Sequence, residues 1–317
     1  MSVLSRARAR TLVCCVAATA ALGALAFAPA AGAAKVGSTY LALGDSLAYG
    51  YHQAQFAKEY PAVNPANYNR GYVDDFGNLL RFFSNHNLQT INDGCPGETT
   101  ETMINGSGIT GYCAGGPTGT PFPYAFLHHP YGTGSQLSDA LAILKENPNV
   151  SPITLDIGAN DVLQFISHTC GFPAKYTCTQ AQVAAEFGHI AENVGYILSR
   201  LRAAAPTASI VFVSQYNPFP LALSPEGTGD ASVEALNNAL KSVASAFGAS
   251  FANNLQTFNA SGTHGGKESG DIPTVCAFTG MCPGGTYNPS SPEADIHPTA
   301  LGYAVIGYDT AFSFYTH

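Results

Sequence analysis

Several patterns are missing from this sequence, and each absence excludes a class of protein. Charged residues make up 11% of the 317 positions, and no basic cluster occurs after the first ten residues, so a nucleic-acid partner is not expected. No Cys-x-x-Cys spacing occurs, which argues against a zinc site. Beyond residue 28 no hydrophobic run is long enough to cross a bilayer, so no stable membrane insertion is expected.

The amino terminus has the pattern of a secretory signal. Three arginines within the first ten residues precede an apolar run over residues 11–28, and Ala31-Gly32-Ala33 fits a cleavage site. A membrane anchor is the alternative, but the run is short for a span. We therefore predict a signal peptide at residues 1–33 and one domain at residues 34–317, secreted from the cell.

The mature chain is acidic and long enough for a proper core. Cleavage after Ala33 leaves 284 of the 317 residues, and loss of the three arginines leaves 10 basic against 21 acidic residues, a net charge of −11. Gly and Pro are plentiful, and neither an internal repeat nor a linker divides the chain. We expect a single domain and a monomer.

The cysteines that remain after cleavage are even in number, which in an exported chain is typical of disulfides. Six cysteines allow fifteen pairings. Their grouping into three well-separated couples, each in a loop rich in Gly and Pro, favours pairing within each couple. The expected disulfides are Cys95–Cys113, Cys170–Cys178 and Cys276–Cys282.

Hydrophobic periodicity predicts strands that alternate with helices. Short apolar runs predict strands, and amphipathic segments between them predict helices. Such alternation is typical of an α/β fold with a parallel sheet covered on both faces. The predicted strands lie near residues 40–44, 88–91, 153–157, 210–214 and 250–253, and the helices near 74–83, 136–147, 181–204, 229–247 and 299–312.

Two long stretches break this alternation. Residues 99–134 contain glycines, prolines and several Phe and Tyr, which indicates an ordered aromatic flap over a site, and residues 262–292 also look irregular. The flap aromatics are candidate substrate contacts, although they could equally belong to the core. His128 and His129 are expected to be surface or flap residues, because adjacent residues rarely share a metal.

Polar residues suited to acyl transfer follow three of the predicted strands. Ser46 follows the first, Gly97 the second and Asn160 the third, so a parallel sheet would bring them to its carboxyl edge. A histidine, His297, precedes the last helix. Acyl transfer by serine needs a base, which His297 can supply, and neutral donors for the oxyanion, which the amide of Asn160 and the backbone N–H groups of Gly97 and Ser46 can supply.

The four blocks together resemble the SGNH hydrolases, the GDSL lipases and esterases. The blocks are Gly44-Asp45-Ser46-Leu47, Gly97 in its Cys-Pro-Gly-Glu-Thr context, Gly158-Ala159-Asn160-Asp161 and His297-Pro298, in that order. The resemblance covers nearly the whole mature chain and is close to the secreted bacterial branch with three disulfides. An α/β-hydrolase is disfavoured, because Gly-x-Ser-x-Gly needs a glycine where Ala48 stands.

The resemblance implies the fold and the roles. The fold would be a flavodoxin-like three-layer α/β/α arrangement around a parallel sheet. Ser46 would be the nucleophile, His297 the base, and Ser46, Gly97 and Asn160 the oxyanion donors. No cofactor or metal is implied.

The sequence departs from the family at the acidic member of the triad. The family usually has that residue three positions before the histidine, where this chain has Ala294. Asp295 lies two before His297, and in an extended segment residues two apart point the same way. Either Asp295 or a backbone carbonyl, such as that of Ala294, could therefore orient the imidazole.

Three nearby aspartates are expected to be structural. Asp45 should stabilise the serine turn, Asp161 should cap a helix, and Asp156 should support a strand end. The expected function is a carboxylic ester hydrolase, a lipase or esterase, acting on a small-molecule or lipid ester. A carbohydrate O-deacetylase is the runner-up, weakened by the absence of Trp, and a glycan- or lipid-binding module without turnover is the rival of another class.

Overall fold

Five parallel strands form the central sheet, in the order β2-β1-β3-β4-β5. The structure, a computed structural model, describes residues 35–113, 121–132, 134–171, 177–220 and 229–317. The predicted signal peptide lies outside these residues. The strands are β1 (Thr39–Gly44), β2 (Gln89–Asn92), β3 (Val150–Asp156), β4 (Ile210–Val213) and β5 (Ala249–Ala252).

The helices cover both faces of this sheet, and the inner strands β1, β3 and β4 are buried along their whole length for that reason. The edge strand β2 is mostly polar and partly exposed. Successive residues of β1 divide between two cores: Leu41 and Leu43 pack into one, and Tyr40 and Ala42 into the other. The helices are α1 (Ser46–Tyr49), α2 (Gln53–Glu59), α3 (Tyr72–Phe83), α4 (Thr100–Asn105), α5 (Gln136–Glu146), α6 (Ala159–His168), α7 (Gln180–Ala204), α8 (Gly229–Ala246), α9 (Asn254–Phe258), α10 (Ile272–Phe278) and α11 (Ala300–Tyr315).

The predicted three-layer α/β/α fold is confirmed. Helices α5, α7 and α8 supply the core on one face, and α3 and α11 supply it on the other. The predicted strands and long helices lie within a few residues of the observed ones. Apolar runs such as β1 and amphipathic stretches such as α3 are the local patterns that hydrophobic periodicity detects best.

The two stretches predicted to be irregular contain ordered elements. Within residues 99–134, α4 begins after Thr99, whose side chain accepts from the N–H of Thr102. Within residues 262–292 lie α10 and the start of a small antiparallel sheet, in which β6 (Thr279–Gly280) pairs with β7 (Asp295–Pro298). These elements are too short for periodicity to reveal, and β6 and β7 need a distant partner. Part of the predicted flap lies outside the described residues.

Three disulfides close local loops on this framework: Cys95–Cys113, Cys170–Cys178 and Cys276–Cys282. They are the couples that the sequence grouping favours. Of the helices in the described ranges, none combines the length and the apolar composition that crossing a membrane requires.

Candidate active site

The end of β1 holds Ser46 at a fixed position. Gly44 lies so close to Asp156 that a β-carbon on it would sit 1.7 Å from the Asp156 carboxylate, and the side chain of Gln136 bonds both the N–H and the C=O of Gly44. Asp45 then caps α1 by accepting from the N–H of Leu47 at 2.9 Å. Ser46 is the first residue of α1 and is partly exposed at the carboxyl edge of the sheet.

The small antiparallel sheet positions His297. Strand β7 carries both Asp295 and His297, which lie two residues apart and therefore project to the same side of the strand. Nε2 of His297 lies 2.9 Å from Oγ of Ser46, and Nδ1 lies 2.5 Å from Oδ1 of Asp295. Serine hydroxyl, imidazole and carboxylate thus form a continuous hydrogen-bonded chain.

The Asp295 carboxylate is held by backbone as well as by the imidazole. Oδ2 accepts from the N–H of Gln53 at 2.9 Å, and Oδ1 also accepts from the N–H of His297 at 3.0 Å. Burial would raise the pKa of Asp295, but the hydrogen bond and charge of His297 together with these amides lower it below the usual range. The carboxylate is therefore ionised and favours the tautomer with a proton on Nδ1. No sequence motif points to the contribution of Gln53.

The three expected oxyanion donors belong to three segments linked by hydrogen bonds. Nδ2 of Asn160, at the start of α6, donates to the carbonyl of Glu98 at 3.0 Å and to Oδ2 of Asp45 at 3.1 Å. In the described chain, the N–H groups of Ser46 and Gly97 donate to no protein atom. Gly97 has φ 84°, a left-handed conformation that favours glycine.

The amide of Asn160 is already engaged, which the sequence could not indicate. An oxyanion would have to compete for one of its two hydrogens, and the hydrogen bond to Asp45 is the longer of the two.

Burial raises the pKa of Asp45 to about 6, while the hydrogen bond from the N–H of Leu47 and the charge of His297 act to lower it.

Further carboxyl groups are buried around the serine. Burial raises the pKa of Glu98 to about 8 and, together with the charge of Asp45, raises that of Asp156 well above its usual range. Asp156 accepts from the hydroxyl of Tyr72 and the N–H of Ala48. Asp161 accepts from the N–H and hydroxyl of Thr100, so it caps α4. Among these groups Glu98 is the one that sequence reasoning missed.

An apolar cavity opens beside Ser46, Asn160 and His297 and extends between α6, α7 and α8. Its apolar lining includes Val162, Leu163 and Ile166 of α6, Val183 and Phe187 of α7, and Leu236 of α8. Among the described residues of the predicted flap, none lines this cavity. The flap aromatics pack instead with α1 and α2, where Phe122 lies 5.3 Å from Tyr49 and 5.5 Å from Phe56 between ring centres.

The family assignment follows from a sequence match over this framework. The profile of the GDSL-like Lipase/Acylhydrolase family matches residues 42–305, which span every element of the site. The chain belongs to this family. The resemblance read from the four blocks is thereby confirmed, and the family description makes the chain a hydrolase of the lipase and acylhydrolase type. A search of curated proteins by sequence returns no match.

Solved structures agree on the fold. A phospholipase A1 from Streptomyces albidoflavus is 16% identical, covers 88% of this chain and 100% of its own, and has a TM-score of 0.50. An extracellular lipase from Streptomyces rimosus is 16% identical and has a TM-score of 0.52, and the alignment covers 88% of this chain and 99% of the lipase. An acetyl-xylooligosaccharide esterase from Geobacillus is 12% identical and has a TM-score of 0.51, and the alignment covers 89% of this chain and 96% of the esterase. At these identities the likeness concerns the fold alone.

Proposed function

We propose that this family member is a secreted carboxylic ester hydrolase that works through an acyl-enzyme on Ser46. The observation that carries the proposal is the chain of hydrogen bonds from Ser46 through His297 to Asp295 at the mouth of an apolar cavity. Nucleophile, base and orienting acid are the three parts that serine acyl transfer needs.

The proposed reaction uses these atoms in order. Oγ of Ser46 attacks the ester carbonyl while Nε2 of His297 takes the hydroxyl proton, and Asp295 stabilises the imidazolium through Nδ1. The N–H groups of Ser46 and Gly97 and the amide of Asn160 would stabilise the oxyanion. The imidazolium then protonates the leaving alcohol. Water, deprotonated by His297, cleaves the acyl-enzyme and restores the serine hydroxyl.

The Ala294 carbonyl becomes unnecessary in this mechanism. Asp295 makes the hydrogen bond to Nδ1, and two backbone amides fix its orientation. The proposal therefore assigns the acidic role to Asp295.

The substrate we propose is an ester of an apolar acyl group. A cavity lined by Val, Leu, Ile and Phe would bury methylene groups, each contributing about 0.8 kcal/mol. An acetyl group would leave most of this lining without a partner, so the cavity favours a lipase or esterase over a carbohydrate O-deacetylase. Three disulfides support an oxidising, extracellular compartment for the proposed enzyme.

Two measurements test the proposal. A fluorophosphonate probe should label the wild-type protein and fail to label Ser46→Ala, whereas a binding module without turnover would not label at all. A panel of p-nitrophenyl esters of graded length, with acetylated sugars and phospholipids, should show the highest kcat/KM for acyl groups longer than acetyl. Preference for acetylated sugars would overturn the substrate assignment.

A further inference from the structure

A second group of polar side chains lies apart from the serine, where three segments meet. Asp93 directly follows β2, His129 lies on the segment 121–132, and Asp139 lies on α5. Nδ1 of His129 is 2.9 Å from Oδ1 of Asp93 and 3.4 Å from Oδ2 of Asp139. The proposed ester hydrolysis uses none of these residues.

The spacing of these atoms suits coordination of a metal ion. One atom from each of the three residues can be chosen so that all lie within 4.8 Å of one another. Bonds of about 2.1 Å place neighbouring ligand atoms about 3.4 Å apart in a tetrahedron and about 3.0 Å apart in an octahedron. The two distances from Nδ1, 2.9 Å and 3.4 Å, are within about half an ångström of both spacings, so a small shift of the side chains would admit an ion.

An independent observation points to a ligand. The side chain of Asp93 has no exposed surface, and in the described ranges its Oδ2 has no hydrogen-bond partner. A buried carboxylate oxygen without a partner is costly unless something else binds it. A cation bound between these side chains would supply the missing partner of the Asp93 carboxylate and counter its buried charge.

The geometry points to a site for a divalent transition cation of the Zn²⁺ type, bound by Asp93, His129 and Asp139. The imidazole disfavours Ca²⁺ and Mg²⁺, which prefer oxygen ligands only. The cation displaces the proton of Nδ1, and water completes the coordination. With 41% of its side chain exposed, His129 leaves a route for entry. The neighbouring His128 is turned away and donates to the carbonyl of Tyr49.

The role of this cation is structural. It joins the segment carrying Phe122 and Phe126 to α5 and to the loop that leads from Asp93 to Gly97. That loop is also held by a hydrogen bond from the hydroxyl of Tyr131 to the carbonyl of Asp93. Occupancy should therefore raise thermal stability and leave the chemical step almost unchanged.

The test uses the full-length mature protein, freed of metal by a chelator and titrated with Zn²⁺ and Co²⁺ in a calorimeter. We expect one ion per chain, a visible Co²⁺ absorption band typical of mixed nitrogen and oxygen ligands, and a rise in Tm of about 5 °C at about 100 times Kd. His129→Gln and, independently, Asp139→Asn should weaken binding at least tenfold. The exposed His86→Gln is the matched control and should bind as the wild type does.

Binding must also be separated from the serine site, because a metal could contact the imidazole there. His297→Gln should retain the stoichiometric ion and the rise in Tm. If the wild-type protein binds Zn²⁺ no tighter than about 1 mM, or if His129→Gln binds it as the wild type does, the site is a hydrogen-bonded imidazole and the proposal is wrong. Neither result would bear on ester hydrolysis, which the fluorophosphonate probe tests separately.

Discussion

Asp295 lies two residues before His297 on the same strand, with Oδ1 2.5 Å from Nδ1 of the imidazole. The two-residue spacing works because alternate side chains of a strand share a face, and pairing of β7 with β6 keeps the segment extended. The family's usual three-residue spacing is therefore unnecessary here.

Removal of the Asp295 carboxylate should lower kcat strongly. Asp295→Ala should reduce kcat for a p-nitrophenyl ester by about 10²–10⁴ with little change in KM, because the imidazole loses its orientation and the imidazolium its counter-charge. Asp295→Asn, which keeps the shape of the side chain but not its charge, should lower kcat by a factor in the same range. Glu293→Ala, an exposed carboxylate of the same segment, is the control. Near-wild-type kcat in Asp295→Ala would show that a backbone carbonyl suffices.

Asn160→Ala should lower kcat by about 10²–10³ if the amide stabilises the oxyanion. The same substitution removes hydrogen bonds to Asp45 and Glu98, so Tm should be recorded for each variant. A purely structural role would lower Tm and the active fraction without changing kcat per active site. Titration with the fluorophosphonate probe gives that fraction and separates the two roles.

A larger side chain in the cavity should shift the preference for acyl length. Val183→Phe places a ring in the cavity from α7, so kcat/KM for long acyl esters should fall at least tenfold while short esters are nearly unaffected. Ala185→Phe, on an exposed position of the same helix, is the matched control. Equal losses for short and long esters would mean that the acyl group binds elsewhere.

Glu98 should make stability depend on pH between about 4.5 and 8. Its pKa is raised above the ordinary value in the folded protein. Its contribution to the free energy of unfolding is therefore fully present below about pH 4.5 and is lost as the pH rises through about 8. Glu98→Gln cannot ionise and should be more stable than the wild type at pH 8 by about 1–3 kcal/mol, with the difference shrinking toward pH 4.5.

Urea unfolding at several pH values measures this difference. Glu101→Gln, an exposed residue on the next helix, should show the same pH dependence as the wild type. Parallel curves for Glu98→Gln and the wild type would mean that the pKa of Glu98 is the same in the folded and unfolded protein, which would contradict the prediction.

The sequence by itself determined the family and the layers of the fold, and it predicted which residues would gather at the serine. Apolar runs predict β1 and β3, and amphipathic segments predict α3 and α5, because buried strands and buried helix faces need apolar residues at regular spacing. Ser46, Gly97, Asn160 and His297 could be proposed as site residues because each lies in a short motif at a strand end or before a helix.

Only the tertiary structure decided how these residues are supported. The contact of Asp295 with His297 requires β7 to be extended, and β7 exists only by pairing with β6. The engagement of Asn160 by Asp45 and Glu98 likewise joins residues far apart in the chain, so no local pattern records it. The apolar cavity lies between three helices, and the described part of the aromatic flap does not line it, because helix packing, not composition, places an opening beside the serine.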